Sequence, residues 1–66
     1  MKAQDIKVGD KIRVTRYTTP FDITVAEVGT RTQKNGKTVY ILRGPRSIDG
    51  RDTHEEYREN TKMVMA

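Results

Sequence analysis

Short apolar stretches separated by turn signals predict an all-β chain, small and strongly bent. Three observations carry that expectation. Lys11 to Tyr17 alternate polar and apolar with the period of a half-buried strand. Asn35-Gly36 lies between two runs of β-formers, Val28 to Thr32 and Thr38 to Leu42, as at a hairpin turn. The remaining strand-sized segments are punctuated by Gly9-Asp10, Thr18-Thr19-Pro20, Gly44-Pro45 and Asp49-Gly50.

Taken in order, Ala3 to Val8 lead to the turn at Gly9-Asp10. The first strand then points Ile12 and Val14 inwards and Lys11, Arg13, Thr15 and Tyr17 outwards. Proline cannot donate to a ladder, so Thr18-Thr19-Pro20 ends it. Phe21 or Asp22 opens a long second strand running to about Gln33. Its apolar parity changes between Ile23 and Val25 and then Ala26 and Val28, which predicts a bulge or bend near Val25 to Glu27. The Asn-Gly pair predicts a two-residue type I′ turn with Lys34 facing Lys37, Arg31 facing Tyr40 and Val28 facing Arg43. In that register one side of the ribbon holds Val28, Val39 and Ile41, and the other holds Arg31 and Tyr40. The third strand runs from Lys37 to Arg43 and stops at Gly44-Pro45, and Ile48 begins a short fourth. Thr53-His54-Glu55-Glu56 has capping-box spacing, which favours a helical turn through Arg58 over an extended segment. Thr61 to Met65 supply the last strand. The expected core is Ile6, Val8, Ile12, Val14, Phe21, Ile23, Val28, Val39, Ile41, Ile48, Tyr57, Met63 and Met65.

These elements describe a single domain over residues 1–66, a small five-stranded antiparallel barrel of the SH3-like kind with a short helical turn before its last strand. Val8-Gly9-Asp10-Lys11-Ile12-Arg13-Val14 resembles the start of strand one in SH3-like and KOW-type barrels. There a turn ending in Gly-Asp feeds the first aliphatic strand, so the resemblance implies the small-barrel fold. In style the compact, cysteine-free, charge-rich chain is also similar to short uncharacterised proteins of tailed bacteriophages.

Sixty-six residues make one domain at most and leave little room for a deep substrate cleft. The absence of cysteine removes disulfides, thiolate metal sites and thiol nucleophiles, and it fits a reducing compartment. No apolar run has the length of a signal or membrane segment, so the expectation is a soluble chain in a cytoplasm. Residues 1–46 hold ten Lys and Arg against four Asp and Glu, whereas residues 47–66 hold three against five. A basic body with an acidic final third suits a polyanion on one side only.

The inventory for catalysis is thin. His54 is the only histidine, and Arg58 stands where a His-Glu-x-x-His zinc helix needs its second. Ser47 is the only serine and has no partner for a triad. Asp49, Asp52, Glu55 and Glu56 lack the spacing of a calcium loop. The expectation is therefore no enzyme, no metal and no cofactor.

What remains is a basic, aromatic surface suited to nucleic acid, DNA or RNA, with little sequence preference. Lys11, Arg13, Lys34, Lys37, Arg43 and Arg46 would meet phosphates, while Tyr17, Tyr40 and Arg31 would stack on bases. The alternative is a protein-interaction module, for example a phage product that binds a host protein. Its contact surface would be the edge of the last strand, which also offers a route to a homodimer, or the Pro20-Phe21 loop.

Overall fold

A computed structural model describes all 66 residues. After a single 3-10 turn at Ala3–Asp5 come five strands: β1 (Lys11–Val14), β2 (Phe21–Thr24), β3 (Glu27–Thr32), β4 (Thr38–Pro45) and β5 (Asp52–Arg58). They form two antiparallel sheets, β1-β2 and β3-β4-β5, rather than a closed barrel. No helix is long and apolar enough to cross a membrane.

The predicted bend is where the chain changes sheets. β2 ends at Thr24, β3 begins at Glu27, and between them the Ala26 N–H donates to the Arg43 carbonyl at 2.7 Å. Val25 turns inwards at the corner and is buried, although the predicted core omits it. On the far side of β1, the segment expected as a last strand makes isolated bridges. Ile12 pairs with Met65, the Arg13 N–H donates to the Val64 carbonyl at 2.7 Å, and Lys2 pairs with Lys62.

The hairpin is shifted by one residue from the predicted register. Thr32 faces Thr38, Arg31 faces Val39, Thr30 faces Tyr40 and Glu27 faces Arg43. Gly36 has φ +82°, Asn35 does not have positive φ, and the Gly36 N–H donates to the Gln33 carbonyl at 2.9 Å. That is a type I turn followed by a left-handed glycine, a three-residue loop instead of the two-residue type I′ turn. The Asn35 side chain secures it by accepting the Lys37 N–H at 3.0 Å. Lys34 therefore sits in the loop and does not face Lys37, whose partner is Gln33.

A slip of one residue exchanges faces. Arg31 and Tyr40, expected side by side, stand on opposite faces of the ribbon. Tyr40 packs on the core with Tyr57, its partner on β5. Val39, Ile41 and Arg43 face outwards with Arg31.

β4 also runs through Gly44-Pro45, which the sequence reading takes as its end. β4 crosses β2 here, and a Cβ on Gly44 would overlap the Thr24 carbonyl oxygen. Only glycine permits that approach.

Asp52 to Arg58 form β5, not a helical turn. Thr53 faces Gly44, and the Glu56 carboxylate takes its hydrogen bond from Arg31 instead of closing a capping box. An isolated helical turn is marginal in water, whereas pairing along β4 from Val39 to Pro45 supplies a partner for every residue of β5. Ile48 likewise lies in a turn, not in a strand, and is 53% exposed.

The core joins Ala3, Ile6, Ile12, Val14, Phe21, Ile23, Val25, Leu42 and Met63. Ala3, Val25 and Leu42 are additions to the expected set. Val8, Val28, Ile48 and Met65 are exposed, and Val39 is buried outside the cluster.

Candidate functional site

The register of the three-stranded sheet sets Arg31, Val39 and Arg58 in one row across its outer face. Val39 is only 4% exposed there, although it lies outside the core cluster. Long arginine stems beside an apolar strand position can cover it while their guanidinium groups stay in water. Beyond this row comes the hairpin loop with Lys34 and Lys37. Arg31, Thr32, Gln33, Lys34, Asn35 and Arg58 line one open notch of about 570 Å³, with no acidic residue among them.

Arg31 gives one hydrogen bond to Glu56. Lys34, Lys37 and Arg58 have no carboxylate within ion-pair distance. Arg58 was missed by sequence reasoning because a helical turn would have carried it away from the hairpin. The alternation of Asp52, His54, Glu56 and Arg58 with Thr53, Glu55 and Tyr57 was the signal that could have placed it.

The other candidates are held differently. Arg13 bonds Asp22 at 3.0 Å across β1 and β2, and this bond together with the Asp22 charge raises the pKa of Arg13. Arg43 bonds Asp52 at 2.9 Å and lies 3.8 Å from Glu27. Arg46 is clamped by Asp49, which also accepts the Arg51 N–H, and those two hydrogen bonds hold the Asp49 carboxyl below its ordinary value. Lys11 is exposed on β1, in the other sheet, and without an ion pair.

A second cluster surrounds Tyr17, the aromatic candidate that is half exposed. Its ring stacks on Phe21 with centroids 5.7 Å apart and planes 21° from parallel. The Arg16 guanidinium lies 5.7 Å from the Tyr17 ring and 5.5 Å from the Tyr57 ring, and that of Arg46 lies 5.5 Å from Phe21. The result is a ladder, Tyr57–Arg16–Tyr17–Phe21–Arg46, of rings and cations. Its cations are neutralised, Arg46 by Asp49 and Arg16 by the buried Glu55 at 2.9 Å. Burial pulls the Arg16 pKa down, but the hydrogen bond and charge of Glu55 outweigh it. Tyr17, Phe21, Arg46 and Ile48 wall a groove of about 430 Å³ beside the ladder.

Chemically, the notch can hold an anion and the groove an apolar group flanked by rings. His54 is exposed opposite Arg43, and no three His, Asp or Glu side chains gather as metal ligands do. No protein-family model matches the chain, and no curated protein matches it in sequence.

Proposed function

We propose that the chain is a non-enzymatic module that binds nucleic acid by its backbone phosphates at the hairpin end of the three-stranded sheet, with little sequence preference. The convergence of Arg31, Lys34 and Arg58 on one notch with no acidic lining carries this reading. A net charge of +4 adds long-range attraction for a polyanion. Phosphates are met as charges, without stacking on Tyr40, and Arg13, Arg43 and Arg46 serve mainly to hold loops and strands together. The bend between β2 and β3 and the C-terminal segment along β1 support regarding the two sheets as an opened barrel of the SH3-like kind.

Salt titration of oligonucleotide binding tests the reading. Four cations at the notch and loop give log K against log salt a slope of about −3 to −4 on duplex and about −3 on single strands. The triple variant Lys34→Gln, Lys37→Gln, Arg58→Gln, which leaves only Arg31, reduces the slope to about −1, while Arg13→Gln leaves it unchanged. Absence of binding at low salt, or a slope untouched by the triple variant, overturns the proposal.

A second reading, a protein-interaction module, is favoured by the groove beside Tyr17 and Ile48, where apolar surface is open to solvent. Tyr17→Ala with Ile48→Ser abolishes capture of a protein partner in that case and leaves nucleic-acid binding intact.

A further inference from the structure

We propose that two copies of the chain join edge to edge through β3, running antiparallel about a two-fold axis at Gly29, to make one six-stranded sheet. β3 is an edge strand of its sheet, and five of its six residues are exposed. It contains neither proline nor lysine, the usual guards of such an edge. The other edge, β5, is covered near its end by the N-terminal turn, where Gln4 donates to the Glu59 carbonyl at 3.3 Å.

The hydrogen-bonding alternation is set by the hairpin. Gln33 donates to Lys37, so Gln33, Arg31 and Gly29 are the residues of β3 that bond β4. Val28, Thr30 and Thr32 therefore direct their N–H and C=O groups away from β4, to an empty flank. An antiparallel second copy must pair these even-numbered residues with each other. Three registers satisfy that rule near the middle of the strand. They differ in charge.

With the axis at Gly29, Val28 bonds Thr30 of the other copy, and Glu27 faces Arg31 twice, once on each side of the axis. Both side chains project from the outer face, with Glu27 72% and Arg31 56% exposed. Registers centred on Val28 or Thr30 separate these charges from one another. Gly29 itself would stand opposite its own copy at a non-bonded position, where strands approach most closely. A side chain there would have met only Ile41, at an ordinary 3.9 Å, so the missing Cβ is not demanded by the monomer. The dimer gives it a use.

The axis is perpendicular to the sheet, so the two outer faces become one surface with a cationic notch at each end. That consequence rests on the phosphate reading above; the dimer does not. Pairing of one short strand makes a small interface, with a dissociation constant on the order of 100 μM.

Sedimentation equilibrium of the full chain up to about 1 mM measures it. The wild type dimerises reversibly. Glu27→Arg and Arg31→Glu are each monomeric, because like charges then face each other, and an equimolar mixture of the two recovers the dimer, because each contact is again between opposites. Thr30→Pro, at a position that does not bond β4, is folded by circular dichroism and monomeric. A wild type that is monomeric at 1 mM, single variants that dimerise undiminished, or a mixture that stays monomeric overturns the proposal. So does a dimer that survives Thr30→Pro and is lost with Met65→Pro, which would place the interface on the C-terminal segment.

Discussion

Gly44 is the position where one atom decides whether the two sheets can cross. Its absent Cβ leaves room for the Thr24 carbonyl and, behind it, the Ala26 amide. Gly44→Ala is therefore expected to destabilise by at least about 3 kcal/mol, since backbone and not a flexible side chain must yield, and a denaturant titration measures it. Tyr57 shows how a single titration reports the packing of the ladder. Burial, then the Glu55 charge, raises its phenol above the ordinary 10.0, and Arg16 offsets this only in part. The folded state holds that proton more tightly than the unfolded state, so the associated stability is intact below pH 10 and lost as pH rises through the raised value. Thermal midpoints of Tyr57→Phe should accordingly decline less steeply above pH 10 than those of the wild type. Neither residue's role was legible in the sequence. Gly44 read as a strand terminator because Gly-Pro usually is one, and Arg16 is unremarked until the fold brings Tyr57 to its other side.

The hairpin shows what a one-residue change of loop does to an element. In the observed turn Lys34 occupies the second position of a type I turn, where proline is favoured, and its N–H makes no backbone hydrogen bond. Lys34→Pro should thus stabilise the chain by about 0.5–1 kcal/mol in thermal melts while weakening anion binding. In a two-residue type I′ turn the same change would remove a ladder hydrogen bond and destabilise. The loop after β4 has its own signature. Arg46 bonds Asp49, and the lowered carboxyl pKa means that this loop contributes stability above the ordinary 3.8 and loses it as pH falls through the lower folded value. Asp49→Asn should flatten the fall in melting temperature between pH 5 and 2. β1, the bend after Thr24 and the existence of the hairpin were legible, because alternation and turn residues are local signals. β5 was not, because a short capping-box motif and a strand compete on local terms, and pairing with β4 outweighs the local preference.

At the scale of the molecule the shape is elongated, 35 × 21 × 19 Å, with the core gathered where β1, β2 and the middle of β4 meet. The hairpin reaches beyond that core, and its loop residues 34–37 are exposed. Local opening costs little where few apolar groups are buried. Native-state hydrogen exchange should therefore show the β4-bonded amides of Arg31 and Gln33 exchanging by local fraying, and those of Ile41 to Arg43 exchanging only with global unfolding. Charge at this scale also separates the expected cations into paired and unpaired ones. The sequence counts cations, but the fold places Asp22, Asp49, Asp52, Glu55 and Glu56 beside five of the arginines.

By itself the sequence determined an all-β chain, its first strand, the bend between its second and third strands, and a basic hairpin, since each follows from local alternation or backbone preference. Only the tertiary structure decided which side of β4 is the inside. Val39-Tyr40-Ile41-Leu42 is apolar on both parities, so burial alone favours neither face. The choice falls to Gly44, which shares a parity with Tyr40 and Leu42 and lets β2 cross only there. That crossing turns Arg31, Val39 and Arg58 outwards together, and the cationic notch follows from it.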